Sequence, residues 1–374
     1  MLDNPFITYG YESPEYFCDR ENETKELIKL LQNGNNTALI SPRRMGKTGL
    51  VQHTFIQPQI KDNYFTFIVD IYATKNIQDF VFQLGYAIVR KLKSKGQKVI
   101  DRFLQLVSSL RTGISFDGQG NASWNIDIGD IKVPEFTLEE IFTYLNDATK
   151  RCIIAIDEFQ SIASYPEQNT EALLRTYVQQ CRNATFIFSG SQQSMMSEMF
   201  SSPSRPFYQS VSLMFLKPVG VEQYKQFAIR HFENRGKKIE RNEVELIYRQ
   251  FDGVTWYIQK MLNQIFSNTA VGTEATEKDV ELAKTQIIGQ NEEAYKDLIF
   301  LLTAKQRDLL IAICKEKKAT HLTKAAFIRQ YKLISASNVQ KNKETLLKKQ
   351  LITCHQGVFE PYDKFLSEWI CQNY

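Results

Sequence analysis

The chain has 374 residues, of which 43% are hydrophobic, so it is long enough for two or three domains with apolar cores. Its 46 basic and 42 acidic residues nearly balance, which excludes a global charge signal for binding a polyanion. No apolar run reaches the roughly 18 residues of a membrane helix, and the first residues lack the pattern of a secretory signal. We therefore expect no membrane partner. Six scattered cysteines without a C-x-x-C pair predict free thiols in a cytoplasmic protein.

A phosphate-binding loop is predicted near the start of the chain. Residues 37–40 are an apolar, β-prone run, residues 41–48 read S-P-R-R-M-G-K-T, and residues 49–56 can continue as a helix. This is the P-loop pattern G-x-x-x-x-G-K-[ST] between a strand and a helix, with Ser41 at the first glycine position. A basic loop that happens to contain Gly-Lys-Thr is the alternative, because Pro42 pushes Ser41 towards extended backbone.

Nucleotide chemistry explains why these residue types would occur together. Backbone N–H groups in the loop and at the helix N-terminus bind phosphate, and Gly46 allows the backbone to approach closely. Lys47 would reach the β- and γ-phosphates, and the Thr48 hydroxyl would ligate Mg²⁺. The predicted nucleotide-binding residues of the loop are Ser41, Pro42, Arg43, Arg44, Met45, Gly46, Lys47, Thr48 and Gly49.

The alternation of strands and helices continues with one interruption. Residues 65–72 are predicted as a buried strand and residues 77–92 as a helix with a basic end. Residues 115–128 alternate in polarity around a Gly/Asn turn, which predicts a hairpin inserted at about residues 113–133. The insertion is either a mobile contact surface or a surface loop, and both interpretations stay open.

An acidic pair ends the next predicted strand. After a helix over residues 138–148, residues 151–156 are almost entirely apolar, which is typical of a strand buried on both faces of a parallel sheet. Ligands bind at the carboxyl ends of such strands, so Asp157 fits the acid associated with Mg²⁺ and Glu158 a general base for the attacking water. A solvent-facing Asp-Glu pair without such a role is the alternative.

The following strand, over residues 184–188, also ends at polar side chains. Ser189, Ser191 and Gln192 could each hydrogen-bond the γ-phosphate or the attacking water, and an ordinary Ser/Gly turn is equally consistent with the pattern. The whole alternation predicts an α/β fold, a doubly wound parallel sheet with helices on both faces, in a P-loop NTPase core over residues 1–216.

The rest of the chain is predicted to hold two further domains. Residues 217–295 contain three helical segments, at 221–232, 242–251 and 257–266, an all-helical stretch that resembles the lid of AAA+-like proteins, with a simple helical connector as the alternative. Residues 296–374 contain three helices, a short hairpin and a closing helix, which together predict a winged helix.

In this order the motifs resemble the ATPases described as predominantly archaeal, a branch of the STAND group of AAA+-like P-loop NTPases. The matching segments are residues 17–21, 41–48, 156–160, 189–191 and 251–257. The last of them departs from the family's G-G-x-P-x-Y lid pattern at its first glycine and at its proline. The resemblance implies ATP with Mg²⁺, a helical lid and a C-terminal winged helix. It also places Arg20 near the adenine and makes Arg205 the candidate for γ-phosphate contact, ahead of Arg182.

The C-terminal part is unusually basic. Residues 301–374 hold 13 basic and six acidic residues, a balance of +7, which leaves −3 for the rest of the chain. The third helix of the winged helix, residues 335–349, carries polar side chains that could face a DNA major groove, but it has no arginine, the usual reader of guanine. A contact with protein, within the chain, with a partner protein or by self-association, is therefore favoured over DNA.

We therefore expect an Mg²⁺-dependent P-loop ATPase that acts as a slow nucleotide-dependent switch, with Lys47, Glu158 and Arg205 as its catalytic residues. A nucleotide-dependent protein-binding module with little hydrolysis is the first alternative, since Ser41 and the altered lid pattern favour it. A DNA-associated regulator or mobile-element helper is the second, because of the basic C-terminal domain.

Overall fold

The computed structural model describes residues 3–92, 103, 105–107, 114–116, 122–124, 131 and 133–374. Its contacts divide the chain into two compact units. Tyr9–Val219 form the first, called here the α/β unit, and residues 3–8 belong with Gly220–Tyr374 in the second. The three-domain division of the sequence, with boundaries at 217 and 296, stays a prediction.

A five-stranded parallel sheet is the framework of the α/β unit, and it confirms the predicted fold class. The strands of this unit are β1 (Thr37–Ile40), β2 (Phe65–Asp70), β3 (Ile114–Phe116), β4 (Ala122–Trp124), β5 (Cys152–Asp157), β6 (Ala184–Gly190) and β7 (Ser212–Phe215). The parallel sheet has the order β2-β5-β6-β1-β7. Every residue of β1 and β6 is buried, which is why these strands are continuous apolar runs rather than alternating ones.

The sheet order brings three strand ends together. Strand β6 lies between β5 and β1, with Ile156 opposite Phe188 and Ile40 opposite Gly190. Because the strands are parallel, the loop after Ile40, the acids at the end of β5 and Ser191, directly after β6, emerge at the same edge. The predicted functional segments thus converge through the sheet topology alone.

The helices of the α/β unit include those predicted after the phosphate loop, at residues 77–92 and before the acidic pair. They are α1 (Glu21–Gln32), α2 (Lys47–Ile56), α3 (Pro58–Lys61), α4 (Ile77–Leu92), α5 (Pro134–Asn146), α6 (Thr170–Gln180) and α7 (Gln193–Ser201), with short 3₁₀ helices at Pro14–Tyr16 and Phe159–Ser164. The predicted helix over residues 138–148 begins four residues earlier, because Pro134 occupies the first turn of α5, where proline is well tolerated. Among all helices of the described residues, none is long and apolar enough to cross a membrane.

The predicted hairpin is present in the described residues as a pair of short strands. β3 and β4 are antiparallel, with Ile114 opposite Trp124 and Phe116 opposite Ala122. The turn that joins them, and most of the predicted insertion at 113–133, lie outside the described residues.

Helices dominate the first part of the second unit. They are α8 (Val221–Glu233), α9 (Arg241–Gln250), α10 (Thr255–Asn268), α11 (Glu277–Gln290) and α12 (Glu292–Phe300), with the two-residue parallel strands β8 (Lys238–Ile239) and β9 (Glu274–Ala275). The three predicted lid helices correspond to α8, α9 and α10. Helix α11 is an addition, and it begins at a capping box in which Thr276 and Asp279 satisfy each other's backbone N–H groups.

The last part of the second unit is a winged helix, as predicted. It contains α13 (Ala304–Glu316), α14 (Ala325–Gln330), α15 (Ala336–Lys348), α16 (Lys364–Asn373), β10 (Ala319–Thr320), β11 (Ile352–His355) and β12 (Val358–Pro361). The three strands form an antiparallel sheet in the order β10-β12-β11. Side-chain caps fix the starts of three helices, from Thr303 to α13, Ser335 to α15 and Asp363 to α16.

The segment that precedes α10 ties the lid helices to the winged helix. The Asp252 carboxylate forms ion pairs with Lys318, at 3.1 Å, and with Lys364. Beside it, the buried Tyr257 ring lies 5.3 Å from that of Phe365, and its hydroxyl accepts the Lys364 backbone N–H at 3.0 Å. The segment before α10 and the start of α10 are therefore joined to the winged helix by both ion pairs and aromatic packing.

Candidate nucleotide site

The loop between β1 and α2 passes through left-handed backbone at two residues. Gly46 has φ +90° and immediately precedes α2, and Arg44 has φ +67°. Glycine adopts this conformation without steric cost, so the sequence has glycine where α2 begins. The first N–H groups of α2 have no acceptor within the helix and point out of its N-terminus, where an anion binds well.

The backbone conformation at position 41 does not require glycine. It is fully buried and has no positive φ, so the departure from the P-loop pattern causes no backbone strain. Its N–H donates to Gly190 O at 3.4 Å, and its hydroxyl donates to Pro42 O at 3.0 Å. The first loop residue is thus anchored to the end of β6.

Lys47 is a buried cation with neutral partners. Its side chain lies inside the loop, and the residue is only 6% exposed. The ammonium donates to Ser41 O at 3.0 Å, Ser41 Oγ at 3.3 Å and Pro42 O at 3.1 Å. Burial lowers the pKa of Lys47 from its ordinary value, although the charges of Glu158 and Asp157 oppose that shift. A polyanion placed at the loop would therefore meet a poorly compensated positive charge.

The two predicted metal ligands are in direct contact. Thr48 Oγ1 on α2 donates to Asp157 Oδ2 at the end of β5, at 2.6 Å. A hydroxyl and a carboxylate are hard oxygen donors of the kind that Mg²⁺ prefers, together with phosphate oxygens and water. These residues fit such an ion, and the assignment of Thr48 and Asp157 as its ligands stays a prediction.

Glu158 is held by two donors on one carboxylate oxygen. Its backbone is left-handed, with φ 57°, and its Oε2 accepts from Ser191 Oγ at 2.7 Å and from Gln160 Nε2. Arg43 Nε in turn donates to Ser191 Oγ at 3.3 Å, and its guanidinium lies over the Tyr72 ring at 4.9 Å. A chain of hydrogen bonds therefore runs from the phosphate loop to the proposed base.

The two serines at the end of β6 have different environments. Ser191 belongs to the network around Glu158, as its position after the strand suggested. Ser189 lies within β6 and is 2% exposed, and its buried hydroxyl has no hydrogen-bond partner among the described residues. Of the two, only Ser191 is brought together with the loop and the acids.

Arg20 contacts the protein rather than open space. The residue is 3% exposed, and its guanidinium donates to Met45 O in the loop at 3.1 Å and to Lys217 O at 2.6 Å. It also pairs with Glu23 at 2.7 Å. In this position Arg20 clamps the phosphate loop to the chain that leaves the sheet, and a role at the adenine stays a prediction.

Arg205 pairs with acidic side chains outside the loop between β1 and α2. Its guanidinium forms ion pairs with Glu171 and Glu198, each at 3.1 Å. Burial raises the pKa of Glu171, and the charge of Arg205 partly opposes that shift. This pairing stabilises the end of the α/β unit between α6 and α7, and γ-phosphate contact by Arg205 stays a prediction.

Two residues of the site were not predicted from the sequence. Gln160 appears in the matched segment 156–160, but no role was assigned to it, and Tyr72 was placed only at the end of a strand. The signal for Gln160 was its position two residues after Glu158, which a tight turn brings back to the carboxylate. No sequence signal marks the stacking of Arg43 on Tyr72.

Comparisons with known proteins identify the family of the chain and its fold. Residues 17–261 match the family model described as the ATPase domain predominantly from Archaea, and residues 293–372 match that of a probable winged helix domain. No curated protein matches the sequence significantly.

Solved structures share the fold over nearly the whole chain. A Walker-type ATPase of Pyrococcus abyssi has a TM-score of 0.64 at 20% identity, covering 98% of this chain and 99% of its own. The ORC2 protein of Aeropyrum pernix, with ADPNP and ADP, has a TM-score of 0.57 at 14% identity, covering 99% and 97%. The ORC1 protein of Aeropyrum pernix, in complex with DNA, has a TM-score of 0.53 at 11% identity, covering 99% and 96%.

The clamp predicts a stability loss on replacing Arg20. Arg20→Met roughly keeps the length of the side chain but removes the guanidinium that donates to Met45 O and Lys217 O. We expect the free energy of unfolding to fall by about 2–4 kcal/mol, measured by chemical denaturation. The control Lys25→Met, at an exposed position of α1, the helix that Arg20 precedes, should change it by less than about 0.5 kcal/mol. Equal stabilities of Arg20→Met and the native protein would rule out the clamp.

Proposed function

The chain belongs to the family of ATPase domains found predominantly in Archaea, and from that premise we propose that it binds ATP with Mg²⁺ and hydrolyses it slowly as a nucleotide-dependent switch. The observation that carries this proposal is the buried Lys47 ammonium at the N-terminus of α2. Three neutral oxygens accept its hydrogen bonds, and burial disfavours its charge. Phosphate oxygens would replace these acceptors with a full countercharge, which supports a triphosphate at this loop.

The proposed reaction is attack of water on the γ-phosphorus, with ADP as the leaving group. Mg²⁺, when bound, neutralises charge on the β- and γ-oxygens. Thr48 and Asp157 would orient it, because they already contact each other at the loop. Lys47 would stabilise charge on the transferred group, and Glu158 would accept the proton of the attacking water at its carboxylate.

The second unit supplies a means of transmitting nucleotide state. Asp252 holds residues of the winged helix, Lys318 and Lys364, from the segment that starts a lid helix. If the lid rotates, the winged helix would therefore move with it, because these ion pairs resist bending between the lid and the winged helix. This link supports the switch role over a simple hydrolase, and it fits a protein partner or self-association that reads the position of the winged helix.

Lys47→Ala tests nucleotide binding. The change removes the charge-assisted contact to phosphate, so we expect ATP affinity to fall at least about 100-fold, measured by isothermal titration calorimetry with Mg²⁺. Lys61→Ala, at an exposed lysine of the same unit, should bind ATP like the native protein. Near-native ATP affinity of Lys47→Ala would contradict the phosphate site.

Glu158→Gln tests hydrolysis separately from binding. The amide keeps the shape of the side chain and loses its basicity, so turnover should fall about 100-fold or more while ATP affinity is kept. Multiple-turnover phosphate release measures the first quantity and calorimetry the second. The matched control is Glu139→Gln at an exposed glutamate of α5. Turnover that is negligible in the native protein would instead favour the binding module with little hydrolysis.

Duplex DNA is the second candidate partner, and the charge of the winged helix favours it. Residues 301–374 carry the balance of +7, and Lys341 and Lys348 are exposed on α15. Phosphate contacts by such lysines give salt-dependent affinity without sequence reading. The likeness to a DNA-bound ORC1 protein concerns the fold and leaves this binding to be tested.

A double charge reversal tests this second candidate. Lys341→Glu with Lys348→Glu should weaken duplex binding and flatten its salt dependence by about two units, one for each lost phosphate contact. The matched control, Lys25→Glu with Lys29→Glu on α1, makes the same change of net charge in the other unit. Fluorescence anisotropy over a salt series measures both slopes, and an unchanged slope for the α15 variant would exclude DNA contact through residues 335–349.

A further inference from the structure

We infer that Gln160 is a positioning residue that fixes which oxygen of Glu158 faces the attacking water, an inference that rests on the proposed role of Glu158 as base. Gln160 belongs to the 3₁₀ helix Phe159–Ser164, which starts directly after Glu158. The turn returns its carboxamide to the Glu158 carboxylate, where Nε2 donates to Oε2. Gln160 itself is 3% exposed, so this donor is held in place by its surroundings rather than by solvent.

The two donors on Glu158 act on one oxygen only. Ser191 Oγ donates to the same Oε2 at 2.7 Å, from the end of β6 on the other side. Both hydrogen bonds fix the rotation of the carboxylate, and neither involves Oε1. That leaves Oε1 as the oxygen that can accept a proton from water, in an orientation set by Gln160 and Ser191 together.

A buried orphan oxygen shows that the carboxamide is oriented for this donation. Gln160 Oε1 is buried and has no hydrogen-bond partner among the described residues. Leaving such an acceptor unsatisfied costs stability, so stability alone does not account for the orientation of the amide. The orientation is accounted for if the function of the amide is to present Nε2 to Glu158.

The end of β6 is shaped to admit this side chain. A Cβ atom at Gly190 would lie 2.5 Å from Gln160 Oε1 and 2.3 Å from Met196 Sδ, closer than real Cβ contacts come. Gly190 has no positive φ, so its backbone conformation does not require glycine. The absence of a side chain at Gly190 thus leaves room for the ends of Gln160 and Met196, and a larger residue there would require both side chains to shift.

The test is a double-mutant cycle on turnover. Gln160→Met keeps the volume and removes the donor, so phosphate release should slow about tenfold while ATP affinity stays within about twofold. In the Glu158→Gln background the same change should have no further effect on turnover, because there is no base left to orient. If Gln160→Met does not fold, Gln160→Asn provides the same test. It keeps the polarity but shortens the side chain, so turnover should slow similarly.

Each outcome separates the inference from the function on which it rests. Gln179→Met, at an exposed position of α6, controls for the substitution itself. Native turnover of Gln160→Met beside a slow Glu158→Gln would overturn the positioning role and leave the base intact. An equal slowing in both backgrounds would make Gln160 a purely structural residue. Native turnover of Glu158→Gln would overturn the proposed base, and the positioning role with it.

Discussion

A positive charge buried at the edge of a parallel sheet is the constraint on which this site depends. Lys47 has neutral acceptors in its own loop, and its burial is imposed by the strand, loop and helix around it. Strand order then brings the ends of β5 and β6 to the same edge, so that Asp157 and Ser191 lie beside the loop. The acids nearby support the charge of Lys47 without neutralising it by contact, which suits a loop that exchanges an anionic ligand.

The strands and helices of the framework could be predicted because each is marked by a pattern within a short stretch of sequence. Buried parallel strands are continuous apolar runs, and the helix at Ile77–Leu92 repeats apolar residues at helical spacing, so both could be recognised from short windows. The family resemblance found from five segments is confirmed by the match over residues 17–261. Side-chain pairings between distant segments leave no such pattern. The contact of Arg20 with Lys217, and the pairing of Arg205 with Glu171, could therefore not be predicted from the sequence.

The segment that resembles the family's lid pattern contacts the winged helix in the structure. Residues 251–257 resemble a family lid pattern that has lost a glycine and a proline, and in the structure they face the winged helix. Asp252 has positive φ. Burial acts to raise the pKa of its carboxyl, but the hydrogen bonds and charges of Lys364 and Lys318 outweigh burial and hold that pKa below its usual value. Two domains that the sequence separates are thereby joined in one compact unit.

The glycine that ends β6 has a consequence for how this protein can vary. The side chains of Gln160 and Met196 occupy the space next to Gly190. The residues at these three positions, on a turn, a helix and a strand, therefore compete for the same volume. Relatives that carry alanine or serine at position 190 should therefore carry shorter side chains at position 160 or 196. Substitution at the strand end should thus appear across the family together with a change at position 160 or 196, and where position 160 changes, the support of the acid beside the phosphate loop changes with it.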